Sequence, residues 1–323
     1  LGKEDAMMRR HAFRPMAWDA LEERQLLSHG SVVTVGTLGD SYSDEYRFYP
    51  PDQSQARNWV EILAANRAVS FGPFTTASRG EPRNQGFAYN WARFGATSGD
   101  MVRNQLPGLT AQVAHGKIDD AWIFVGGNDF LYFLRGVQTG QIPASQALTT
   151  LTQVEAQAEA NIRTAVGTLL AANPNVRLVL VTVPDVAELP IVRAGIANPI
   201  DLAAVNATSQ AIQQLNASIV ADAAVSPRIA LVDLAGQSAL LAQVPGGLAP
   251  FGGTVIDTVN PGDDFHHFFL ADGTHVGTVA QGIIADDFLA AIDSHFGARV
   301  PLLTPTQIVA IAQQVQARTH RGG

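Results

Sequence analysis

The chain has 323 residues, 46% of them hydrophobic and 15% charged, with a formal net charge of -8; this length supports a large core in one α/β domain. The acidic balance supplies no basic field for a phosphate backbone, which excludes nucleic acid as an expected partner. The absence of cysteine removes disulfides, thiolate zinc sites and a cysteine nucleophile together, and no apolar run reaches the ~18 residues of a membrane-spanning helix.

The first thirty residues stand apart. Met7-Met8-Arg9-Arg10 and Arg14 are basic, but no apolar stretch follows them, so a conventional signal peptide is not expected. Residues 31–37 are β-branched and predict a strand running into Gly39-Asp40-Ser41. A helix is expected over 57–65, a weak strand over 68–71 and a second helix over 100–115. The apolar run 119–125 predicts another strand, ending in Gly126-Gly127-Asn128-Asp129. After the Ala-rich helical stretch 144–172, residues 176–183 carry Val or Leu at nearly every position and run into Pro184-Asp185, the pattern of a strand buried on both faces. Residues 201–220 predict a helix and 229–233 a strand. The stretch 244–269, rich in Gly, Pro and aromatics, reads as an elaborated loop rather than a domain boundary. A helix over 276–295 follows, and beyond residue 299 another is signalled by Thr304 as cap and Pro305 at the first helical position. Strands alternating with helices predict a three-layer α/β/α fold, a flavodoxin-like doubly wound sheet of about five parallel strands, whose carboxyl ends bring the polar strand termini to one edge.

A serine hydroxyl is a useful nucleophile only beside a base, and the oxyanion it generates needs fixed donors. Of eight histidines, His11 and His29 fall in the leader and His320 in the tail, while His115 and His295 close predicted helices, where a cation suits the dipole. Among the remaining three, His275 follows Asp272 by three residues at a turn into a helix, a spacing that lets a carboxylate hold one ring nitrogen while the other faces a nucleophile. Ser41 sits where a strand gives way to a turn, with Gly39 allowing close backbone approach. Gly95 offers a backbone N–H and Asn128 a side-chain N–H to an oxyanion. Each also has a plainer reading. Gly-Asp-Ser serves as a helix cap or a phosphate-cradling turn, Gly95 as a turn residue, Asn128-Asp129 as the cap of a following helix, and Asp-x-x-His as a cap beside a surface histidine.

Taken together, these residues resemble the SGNH/GDSL hydrolases. Gly39-Asp40-Ser41-Tyr42-Ser43-Asp44 is similar to the first block of that family, Gly95 within Asn90-Trp91-Ala92-Arg93-Phe94-Gly95-Ala96 to the second, Gly126-Gly127-Asn128-Asp129 to the third and Asp272-Gly273-Thr274-His275 to the fifth, all in family order. Tyr42 stands where Leu is frequent and Val276 where Pro often follows the histidine; the fourth block is not assigned. The resemblance implies a serine hydrolase cleaving carboxylic esters through an acyl-serine, with Ser41 as nucleophile, His275 as base and Asp272 orienting it. The backbone N–H groups of Ser41 and Gly95 and the Asn128 amide would form the oxyanion hole. No metal or organic cofactor is implied, and Asp44, Glu45, Asp263 and Asp264 are expected to be caps and solvated turns rather than ligands.

The expected substrate is a small-molecule or polysaccharide ester, in the first instance an O-acetyl or short-acyl ester of a carbohydrate, with Trp91 and the aromatics of 265–269 available to sugar rings, acyl chains or the core. A lipase or arylesterase is the alternative. A non-catalytic carbohydrate-binding module would have no need of Ser41, Asn128, Asp272 and His275 together, and a flavin or nucleotide binder would place phosphate at residues 39–43. The run Leu21-Glu22-Glu23-Arg24-Gln25-Leu26-Leu27-Ser28 resembles the LEPR-XLL element of bacterial surface and exported proteins, with Glu23 in place of Pro; an amphipathic helical turn reads equally well. The expected organisation is thus a leader or sorting-like segment over 1–30, a hydrolase domain over 31–299 and a C-terminal helix and tail over 300–323, in an exported or surface protein.

Overall fold

The computed structural model of the protein describes residues 32–49, 53–77 and 85–319; the leader, its LEPR-XLL-like run, His11, His29 and His320 lie outside these residues. In chain order the elements are β1 (Val33–Gly39), α1 (Trp59–Asn66), β2 (Val69–Ser70), the short hairpin β3 (Phe74–Thr75) and β4 (Gly86–Phe87), α2 (Ser98–Asp100), α3 (Leu106–Ala114), β5 (Asp120–Phe124) and α4 (Gly127–Gln138). Then come α5 (Ala144–Ala172), β6 (Arg177–Val181), α6 (Pro190–Ala194), α7 (Pro199–Ala224), β7 (Ile229–Val232), α8 (Leu234–Leu241), the hairpin β8 (Leu248–Phe251) and β9 (Thr254–Asp257), α9 (Thr278–Phe296) and α10 (Pro305–Thr319).

Five strands form the expected parallel sheet in the order β2-β1-β5-β6-β7. The chain leaves β1 to one side through β2 and returns on the other through β5, so β1 and β5 flank the point where strand order reverses, and loops leaving their carboxyl ends open a crevice there. Inner strands are apolar on both faces because helices cover both. Leu38, Ile123, Leu178 and Leu180 pack beneath α3, α4, α5 and α7. On the opposite face Val35, Trp122, Phe124 and Val179 pack against α1, α9 and α10, where the rings of Trp59, Trp122 and Phe288 stack with centroids 4.3–5.4 Å apart. Helix α10 belongs to this second core through Ile308 and Ala312, and its start is capped reciprocally by Thr304 and Gln307.

Two regions differ from the sequence expectation. The loop 244–269 contains the β8–β9 hairpin, and α8 follows β7 directly. The predicted helix 100–115 is three pieces, with a π-helical turn (Met101–Gln105) between α2 and α3. Pro107 has no N–H for the carbonyl of Arg103, and the Leu106 N–H bonds instead to Met101 O, five residues back.

Candidate active site

β1 delivers the chain to the crevice at Gly39, where a Cβ would stand 2.6 Å from the carbonyl oxygen of Phe124 on the neighbouring strand, so only glycine fits. Gln105, at the end of the π-helical turn, brackets that glycine: its Oε1 accepts from Gly39 N at 2.9 Å and its Nε2 donates to Gly39 O at 2.8 Å. Beyond it the chain turns tightly over Asp40, whose carbonyl accepts from Ser43 N and Asp44 N and whose Oδ1 accepts from Tyr42 N. Ser41 is thereby held at the head of the turn, 6% exposed. Burial pushes the Asp40 carboxyl up to about 7, against the bond from Tyr42 N–H.

The Asp272-Gly273-Thr274-His275 turn approaches from the other end of the sequence. One Asp272 oxygen accepts from the backbone N–H groups of Thr274 and His275, each at 2.8 Å, and the other lies 2.5 Å from His275 Nδ1. His275 Nε2 is 2.9 Å from Ser41 Oγ. Burial works to raise the Asp272 carboxyl, but the bonds from the imidazole and the two backbone N–H groups outweigh it and hold the group below the ordinary carboxylate range. Asp272 therefore stays ionised behind the ring, which fixes the proton on Nδ1 and leaves Nε2 to accept from the serine hydroxyl. The side-chain amide of the buried Gln53 lies 2.9 Å from the same Nδ1. The atom placed there is Nε2 and Oε1 has no partner; because the Nδ1 proton is directed at Asp272, exchanging the two amide atoms gives that N–H a second acceptor. Phe94 stacks on the imidazole, with ring centroids 5.6 Å apart.

The third wall is the N-terminus of α4, entered through Gly126 at φ 123°. Asn128 Nδ2 donates to Ala96 O at 3.0 Å, Asp129 accepts from the amide and hydroxyl of Ser98, and Tyr132 OH donates to Gly95 O. These bonds pin the Gly95 loop to α4. Among the described residues the N–H groups of Ser41 and Gly95 have no hydrogen-bond partner, and Asn128 keeps a second amide proton. Ser41, Gly95, Asn128 and His275 line one cleft of about 250 Å³, whose far wall is Leu131, Val183, Val186 and Leu189.

The acidic residues after Ser41 depart from expectation. Asp44 and Glu45 are buried, not solvated turns: Asp44 accepts from Phe94 N at 2.9 Å and from the Tyr49 hydroxyl, and Glu45 accepts from Phe87 N at 2.6 Å. They are buried because neighbouring loops fold over them and would otherwise lack acceptors for those N–H groups. Asp264, in contrast, is an exposed turn acceptor for His266 N, and Asp263 accepts from Ala271 N. Trp91 points away from the cleft, donating to Gln112 and lying over Gly108, whereas Phe268 and Phe269 line a second cavity beside it. His115 caps α3 and His295 lies in the last turn of α9. The contributions of Gln53 and Gln105 had no sequence signal, since each meets its partner across 222 and 66 residues respectively.

Residues 35–288 match the model of the GDSL-like lipase/acylhydrolase family. The chain belongs to that family. As an SGNH/GDSL hydrolase it is a carboxylic ester hydrolase. No curated protein matches it. Among solved structures it is similar to the lipase Lip_vut3 from a goat rumen metagenome, at 13% identity over 80% of this chain and 97% of that one, with a TM-score of 0.46. The extracellular lipase of Streptomyces rimosus is 18% identical over 80% and 99%, at 0.43. The family 3 carbohydrate esterase of Clostridium thermocellum is 14% identical over 87% and 98%, at 0.41. Among the described residues of this GDSL hydrolase, no helix is long and apolar enough to cross a membrane.

Proposed function

We propose that this hydrolase cleaves its ester through an acyl-serine formed on Ser41, a reading carried by one observation: His275 Nε2 lies 2.9 Å from Ser41 Oγ while an ionised Asp272 holds Nδ1. As the serine oxygen bonds to the ester carbonyl carbon, its proton passes to Nε2. Asp272 stabilises the imidazolium and stays unprotonated. The Ser41 and Gly95 N–H groups and the Asn128 amide receive the charge that develops on the carbonyl oxygen. The C–O bond to the alcohol then breaks, His275 returns the proton to the departing oxygen, and water repeats the sequence in reverse to release the acid. No step requires a cofactor.

The apolar far wall of the cleft favours esters of aliphatic acids, the lipase or esterase alternative. A carbohydrate O-acyl ester is the second reading, favoured by the exposed rings of Phe94 and Tyr132 at 49% and 43%, which offer faces to a sugar. Export or surface display is proposed from the LEPR-XLL-like run alone.

Hydrolysis of p-nitrophenyl acetate by the wild type, Ser41→Ala and His275→Ala tests the assignment. Each replacement is expected to lower kcat by about 10⁵–10⁶-fold while the circular dichroism melt is retained. Wild-type turnover in folded Ser41→Ala, or a fluorophosphonate that labels another serine, overturns it.

A further inference from the structure

Beside the reacting cleft lies a second cavity of about 320 Å³, walled by Leu234, Leu241, Phe268, Phe269, Ile283 and Ile284, from α8, α9 and the loop after β9. The two share Tyr42, Pro184, Asp185 and Leu189, and the Tyr42 ring stands between them, its hydroxyl donating to Thr274 O at 2.8 Å. The polar side chains on the cavity wall already have partners within the protein. Asp185 accepts from Ala187 N, Glu188 pairs with Arg193, Ser238 donates to Leu234 O, and Thr258 donates to Gly247 O. The lining is mostly apolar, so an aliphatic chain gains there by leaving water, while a sugar would meet few groups for its hydroxyls.

We infer that this second cavity takes the distal part of the substrate's acyl chain, which makes the enzyme selective for fatty acyl esters long enough to reach it. The inference rests on the Ser41 assignment above and deepens it. The tetrahedral carbon formed on Ser41 Oγ has three other substituents. Its oxyanion faces Gly95 and Asn128, and its alcohol oxygen faces His275 Nε2, which must protonate it. The acyl carbon takes the remaining direction, which we place against Val183, Val186 and Leu189, the apolar lining residues at and next to those shared with the second cavity. That wall is continuous with the second cavity through Pro184, Asp185 and Leu189, so a chain outgrowing the first cleft passes beside Tyr42 into the second. A cavity of ~150 Å³ accommodates the six carbons of benzene, and by that scale the second cavity holds roughly a dozen.

Three measurements on the full chain test this. First, kcat/KM for p-nitrophenyl esters is expected to climb about two- to fourfold per methylene to an optimum at about fourteen to eighteen carbons. Second, Ser238→Trp, from a half-buried position on α8, and Ala242→Trp, from an exposed position on the cavity wall just after α8, are expected to lower the ratio of dodecanoate to acetate turnover about tenfold or more. Third, calorimetric titration of dodecanoate into Ser41→Ala is expected to show binding that either tryptophan weakens at least tenfold; this requires no turnover. A maximum at acetate, or both folded tryptophan variants keeping the wild-type ratio and dodecanoate affinity, overturns the cavity assignment. Failure of the Ser41 reading has a different signature, acetate turnover that survives in Ser41→Ala, and the titration still decides the cavity in that case.

Discussion

Between residues 39 and 45, almost every polar group near Ser41 is held by another. Gln105 clasps both backbone groups of Gly39, Asp40 ties down the three amides that follow Ser41, and Asp44 and Glu45 anchor the loops carrying Phe94 and Phe87. Val183, Val186 and Leu189 line the same cleft with apolar side chains. Hydrogen bonds are directional and weaken steeply when misaligned, whereas apolar packing tolerates exchange of side chains of similar volume. The reacting half is therefore specified atom by atom, and the substrate half only by shape and volume.

Apart from Ser41 and His275 themselves, breaking the polar half should cost most at the oxyanion. Asn128→Ala is expected to reduce kcat about 10²–10³-fold, equivalent to about 2.7–4 kcal/mol of barrier, with KM nearly unchanged in steady-state assays on the acetate ester; a KM effect alone would place Asn128 in ground-state binding. Gln105→Leu comes next. It leaves the buried N–H of Gly39 unpaired, at about 1–3 kcal/mol, while the Gly39 carbonyl keeps its bond from Arg93 N, and is expected to lower Tm by a few degrees in calorimetry and kcat about tenfold. A variant that melts early but turns over normally would separate folding of the turn from alignment of Ser41.

The smallest expected effect belongs to Asp40. Its carboxyl is pushed from 3.8 up to about 7 by burial, so between about pH 4 and 7 the folded chain binds more proton than the unfolded one, and stability from this group is lost as pH rises through that window. Asp40→Asn keeps an acceptor for Tyr42 N and carries no charge. The variant is expected to melt a few degrees above wild type at pH 8, and its Tm is expected to depend less on pH between 4 and 7. Asp287, raised to about 7, and Asp44, raised to about 6, retain part of the slope. An unaltered slope would show that Asp40 is charged in the folded protein at neutral pH. Asp272 works in the opposite sense: its lowered value stabilises the fold at neutral pH, and that contribution disappears under acid.

The same contrast explains what the sequence disclosed. Strands such as 176–183 were legible because burial on both faces demands an unbroken apolar run, and Ser41, Gly95, Asn128, Asp272 and His275 because each stands in a short motif at an element's end. Gln53 and Gln105 were not legible, because their partners are set by tertiary approach and glutamine is common on surfaces. Asp44 and Glu45 were misread as solvated for a related reason: an acidic pair in a loop carries no local sign that other loops will close over it. The β8–β9 hairpin was hidden in a stretch whose Gly and Pro content signals turns without fixing what joins them, and α8 is only eight residues long, too short to show a helical period.

Tyr42 is bonded through its hydroxyl to the carbonyl of Thr274, lies next to Ser41 in the chain and divides the two cavities. For anyone selecting altered variants, that arrangement makes positions 238 and 242 independent dials and position 42 a coupled one. A mutation at Tyr42 alters the passage for the acyl chain and the tether between the serine loop and the histidine loop at once. Libraries seeking new chain-length preference without loss of turnover should therefore leave residue 42 unchanged and diversify α8.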